Sequence, residues 1–356
     1  SQIWFHDGSD AAKLTTGRSD SSPRWSPDGT MLAFLRKGPG PTDRPQLALL
    51  PKGGGEAKVV TEFELGVSRI SWSPDGSQIL LEVSEYVDGI DDEDERVRAP
   101  RRITDPSFRF YAVGWTYLKR KHMWIYSIYN QSSRHLTEGD ANEREGTWSP
   151  DGSTFSFLSA VDDDRWISPL GHVLTIAVDG GTPVPVTPKG GWGWVGYSPS
   201  GELHVIGRPL ERMTLDTLPL QKLHGDGPLQ QLTDLDRDLQ PGHPPGLLAG
   251  PRFLEDGTIH TLLEDRGSQR VIAIGVDGEV ADVVGGNRII TGWDPDRSGT
   301  TAVFTATSPT EPGEVYLWDG EKEVALTAFN RQFAEDANLS EPVDFTYESD
   351  GEEIHG

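Results

Sequence analysis

The chain has 356 residues, a formal net charge of −24 and no cysteine. That length suits two average domains or one large repeat domain; the charge opposes nucleic acid and anionic membrane as partners, and the missing cysteines remove disulfides and thiolate chemistry. Gly (41) and Pro (26) are abundant while hydrophobic residues make up 35%, which favours strands and turns over helices.

The first element is the alternating stretch "QIWFHD" (2–7), which turns and runs to Leu14-Thr15, predicting a hairpin over 1–15. Next comes "RWSPDGTMLAF" from Arg24. Ser26 and Asp28 are residue types that hydrolases use, but here they read as turn formers: Pro fixes φ, Asp bonds neighbouring backbone, and Gly takes positive φ. The preceding Trp25 supplies a packing surface between neighbouring units. The motif returns as "SWSPDG" (71–76) and "TWSPDG" (147–152), and in looser form before Gly201, Gly257 and Gly299. These turn glycines are 47, 76, 49, 56 and 42 residues apart. A Leu-Thr or Val-Thr pair keeps the same register, at Thr15, Thr61, Thr137, Thr187, Thr233 and Thr327, with one degenerate copy at Val283-Val284.

Between the markers lie period-two segments such as "HMWIYSI" (122–128), "HVLTIAVDGG" (172–181) and "EVYLWDG" (314–320). One unit is therefore two hairpins, four short strands in about 45 residues, as in a β-propeller blade. Six S-P-D-G-type hairpins stand against seven partner hairpins, because 1–15 has no partner before it. The fold expected is all-β, a seven-bladed β-propeller of four-stranded antiparallel blades over 1–341, with the ring incomplete or open at the first or last blade. The last strand, "EPVDFTYESDGEEIHG" (341–356), is expected to lead out of the propeller over 342–356.

The interval of 76 residues places an insertion at 85–121. It begins with an acidic run, 88–95, read as a solvated loop, and continues through Arg96, Arg98, Arg101 and Arg102 into an aromatic stretch. Long insertions on rigid scaffolds tend to carry function. No G-x-S-x-G, S-x-x-K or H-E-x-x-H motif occurs. "GWGWVG" (191–196) matches G-x-G-x-x-G but runs into another blade turn with no helix to follow. The nine histidines show no metal-ligand spacing, so no metal and no cofactor is expected. No apolar run approaches membrane-spanning length, and a cytoplasmic location is expected.

The W-S-P-D-G hairpins, "RRITDPSFRFYAVGW" before "HMWIYSI", and the terminal "FTYESDGEEIHG" together resemble the prolyl oligopeptidase family of serine peptidases, most closely its acylaminoacyl-peptidase-like branch. The resemblance implies a propeller that gates peptides toward a C-terminal α/β-hydrolase domain carrying the catalytic triad. That domain is not in this sequence, so no catalytic residue is assigned, and the partners implied are the hydrolase domain and peptide substrates. It further implies substrate-facing positions at Arg109 and Tyr111, although the family's Asp-Gly after that arginine is missing. Homo-oligomerisation is compatible with this reading. The S-P-D-G repeat is also shared with TolB-like interaction propellers, the alternative reading. A third, an enzyme working from the propeller channel, lacks any carboxylate or metal spacing to mark it.

Overall fold

Each S-P-D-G turn builds itself from local hydrogen bonds. In the computed structural model, Ser26 Oγ donates to Asp28 Oδ1 and accepts the Met31 N–H at 3.0 Å, while Asp28 Oδ1 accepts the Thr30 N–H at 3.1 Å. Gly29, at φ +68°, closes the turn. Ser73 with Asp75 and Ser149 with Asp151 repeat the arrangement. The structure describes residues 1–40, 43–87, 89–90, 93–100, 103, 108–110, 114–165, 167–168, 170–212, 217–223, 227–239 and 250–355.

Among the described residues these hairpins grow into six four-stranded antiparallel sheets. The first blade comprises Ser19–Trp25, Met31–Lys37, Gln46–Pro51 and Lys58–Val59. The second comprises Val67–Trp72, Gln78–Tyr86, Lys119–Ser127 and Ser132–His135, and the third Glu143–Trp148, Thr154–Ser159, His172–Ala177 and Val184–Pro185. The fourth starts at Gly190–Tyr197, the fifth at Arg252–Phe253 and the sixth at Ile289–Pro295. The 191–196 stretch lies inside the strand Gly190–Tyr197 and forms no phosphate loop.

The propeller thus has six blades, which corrects the seven expected and the open or incomplete seven-bladed ring that went with them. The S-P-D-G-type hairpins set the number, because each seeds a sheet by its own turn. The hairpin of Trp4–His6 with Ala11–Lys13 stays a separate two-stranded sheet. Its Ile3 instead joins Leu32, Phe34, Ala48 and Leu50 in the core of the first blade. A second lone hairpin pairs Thr346–Ser349 with Glu352–His355.

The chain divides into two compact units, one of 1–197 with 207–213 and one of 198–206 with 214–356. In the first, alternation along Gln78–Tyr86 buries both faces of the second blade. Ile79, Leu81 and Val83 pack with Ala33, Leu35 and Leu47 of the first blade, whereas Leu80 packs with Trp148, Phe155 and Leu174 of the third. Burying a Leu, Ile or Phe is worth about 1.5–3 kcal/mol, so this two-sided pattern dominates the stability of the stack. In the second unit Leu262 and Val271 of the fifth blade pack with Trp293 and Phe304 of the sixth.

Both sequence markers act in this packing. Trp72 donates from Nε1 to the Arg24 carbonyl at 3.0 Å, and Trp148 likewise to the Ser71 carbonyl at 3.3 Å, each tying a blade to the one before it. The marker threonines close blades: Thr61, Thr137, Thr187, Thr233 and Thr327 each accept the N–H of a residue on their blade's third strand, at 2.9–3.0 Å. No helix of the described residues is long and apolar enough to cross a membrane.

Candidate functional site

The insertion leaves the second blade at Tyr86 and returns at Lys119, two residues that face each other across the strand pair. A main-chain bond from Val87 N to Leu118 O, 2.9 Å, pins its base. The acidic run read as a solvated loop ends in a helix, Glu93–Arg98, with Arg96 and Arg98 in its last turn, where the helix dipole favours cations. Asp88, Asp91, Asp92, Arg101 and Arg102 lie outside the described residues.

Arg96 organises the space below this helix. Its side chain is only 7% exposed and bonds Glu64 at 3.1 Å. It also donates to the Ile90 carbonyl, and its guanidinium carbon lies 3.5 Å from the centre of the Tyr86 ring. A cleft of about 170 Å³ opens beside it, walled by Phe63, Glu64, Val83, Glu85 and Tyr86. Glu85 is held by the indole N–H of Trp124 at 3.2 Å and by His135 Nε2 at 3.0 Å. Trp124 stands against Phe63 edge-on, with ring centres 4.9 Å apart, which stiffens that wall.

Lys119 stands at the rim, its Nζ 5.4 Å from the centre of the Tyr86 ring. Burial first, and then the positive charges of Arg44 and Arg96, push its ammonium below the ordinary lysine range, against the pull of Glu64. The cleft end of the blade is thus locally cationic in a chain whose net charge is −24. Nothing in the sequence pattern links Arg44 to Lys119, since the two lie far apart along the chain, Lys119 at the start of the basic run Lys119-Arg120-Lys121.

Of the two positions expected to face substrate, Arg109 is exposed on a short hairpin, Arg109–Phe110 with Gly114–Trp115. Its guanidinium carbon is 5.5 Å from the Trp115 ring centre, and Phe108 stacks on the same indole at 5.9 Å. Tyr111 lies outside the described residues.

No family model matches the chain. An uncharacterized peptidase, YuxL, of Bacillus subtilis (strain 168) is 32% identical over 173 residues, which is 46% of this chain and 26% of that protein. The Pyrococcus horikoshii acylaminoacyl peptidase matches 98% of this chain with a TM-score of 0.74 at 21% identity, using 51% of its own length. The β-propeller domain of the Trilobed protease from Pyrococcus furiosus matches 90% with a TM-score of 0.62 at 17% identity, over 86% of that domain. The chain therefore spans about a quarter of its curated relative and half of the acylaminoacyl peptidase. The resemblance to the propellers of acylaminoacyl-peptidase-like peptidases holds for the fold along nearly the whole chain, and a relative named as a peptidase shares part of the sequence.

Proposed function

We propose that this chain is the non-catalytic propeller of an acylaminoacyl-peptidase-like serine peptidase, admitting short peptides to an α/β-hydrolase domain. The observation that carries the reading is the match of 98% of the chain to about half of an acylaminoacyl peptidase, supported by the sequence relation to a second peptidase. The other half of such a protein is where the reading puts the catalytic triad. The blades supply a rigid wall, and the insertion at 85–121 supplies the adaptable surface, with Arg109 offered to the peptide from the Trp115 platform. Rigid scaffolds with functional loops divide labour in this way.

The test compares the isolated chain with a protein in which it is joined to its hydrolase domain, using chromogenic acyl-amino-acid substrates and a large unfolded protein. The joined protein should cleave the short substrates and spare the long one, and the isolated chain should cleave neither. Turnover by the isolated chain, or equal cleavage of both substrates by the joined protein, overturns the proposal.

A further inference from the structure

Three cations from distant parts of the sequence come together around Tyr86: Arg96 lines the cleft, Lys119 Nζ lies 5.4 Å from the Tyr86 ring centre, and the charge of Arg44 acts on Lys119. Arg44 comes from the connection between the second and third strands of the first blade, Arg96 from the insertion helix, and Lys119 from the strand that ends the insertion. The Arg44 stem rests on the connection that also supplies Phe63 and Glu64, so closely that a Cβ at Gly66 would come within 2.7 Å of Arg44 Cβ. Glu64, 61% exposed, already bonds Arg96. Among the described residues, neither Arg44 nor Lys119 has a carboxylate within 4.0 Å. Like charges gathered around a partly desolvated lysine repel one another, and an anion placed among them relieves that repulsion.

We infer that Arg44 and Lys119, backed by the Arg96–Glu64 pair, form a subsite for the free C-terminal carboxylate of a short peptide, with the peptide's last apolar side chain in the cleft against Phe63 and Tyr86. This deepens the peptide-handling reading and rests on it. The arginine offers paired donors that match a carboxylate, and the lysine adds a point charge. At about 170 Å³ the cleft is smaller than the roughly 300–1,000 Å³ of sites for larger ligands, which suits one terminal residue. The net charge of −24 disfavours a polyphosphate and costs a single carboxylate least.

The experiment titrates the full chain with acetyl-Ala-Ala-Leu as the free acid and as its C-terminal amide, following heat of binding and the Lys119 side-chain NMR signal. The free acid should bind at least about tenfold more tightly than the amide, a difference of about 1.4 kcal/mol, and it alone should move the Lys119 signal. Lys119→Met and Arg44→Gln should each remove that preference. The NMR arm needs no variant, so the outcome stands even where a substitution disturbs folding. Equal binding of acid and amide, no binding of either, or variants that keep the preference each overturn the subsite. The hydrolysis assay above involves none of these residues, so loss of the subsite and loss of the peptidase reading are distinguishable.

Discussion

The hydroxyl oxygen of Thr187 accepts the backbone N–H of Val173 at 2.9 Å, at a site where Thr187 is only 6% exposed. The same bond recurs on the third strand at Thr61, Thr137, Thr233 and Thr327, so a sequence marker is here a strand-end clasp. Thr187→Val keeps the shape and leaves the N–H buried without its acceptor. It should destabilise the chain by about 1–3 kcal/mol in urea unfolding. An unchanged midpoint would remove the threonine clasp as a stabilising element.

The tryptophans of W-S-P-D-G divide by burial. Trp148 is 7% exposed and donates to Ser71 O, whereas Trp25 is 41% exposed. Trp148→Phe should cost about 1–3 kcal/mol through the unpaired carbonyl and the lost indole volume. Trp25→Phe should stay within about 0.5 kcal/mol. Equal losses measured for the two variants would show that the interblade bond contributes nothing beyond ring burial.

The turn carboxylates make stability depend on acid. Hydrogen bonds from Ser149 Oγ and then from the Ser153 N–H and hydroxyl lower Asp151 from 3.8 to about 2, and Asp28 and Asp75 shift the same way for the same causes. A carboxylate depressed in the folded state stabilises above its unfolded value and loses that effect as pH falls through the folded one. For Asp151 the loss should therefore fall between 3.8 and about 2. Thermal unfolding of Asp151→Asn across that window should give a shallower fall in midpoint than the unsubstituted chain; parallel curves would exclude Asp151 from acid unfolding.

Arg109 is exposed and rests on Trp115, so Arg109→Ala should leave the unfolding midpoint within about 0.5 kcal/mol. In a protein carrying the hydrolase domain, the same variant should raise KM several-fold while kcat holds, the signature of lost substrate binding rather than lost chemistry. An unchanged KM would take Arg109 out of contact with substrate.

What the sequence determined by itself was short-range. Pro, Asp and Gly in Ser26–Gly29 select a turn through bonds spanning a few residues, and the alternation Ile79, Leu80, Leu81 declares a strand buried on both faces. The turn-seeded hairpins gave the periodicity for the same reason. Blade number was different, because whether the 1–15 hairpin completes a sheet depends on partners its own residues do not encode; its Ile3 found the first blade's core instead. The helix at Glu93–Arg98 was equally hidden, since six residues form a helix only with tertiary support such as the burial of Arg96 over Tyr86. Only the tertiary structure brought Arg44, Arg96 and Lys119 together: strand pairing sets Tyr86 opposite Lys119, and blade stacking lays the Arg44 connection beside them. Electrostatic interaction follows distance in space, and no spacing along the chain records it.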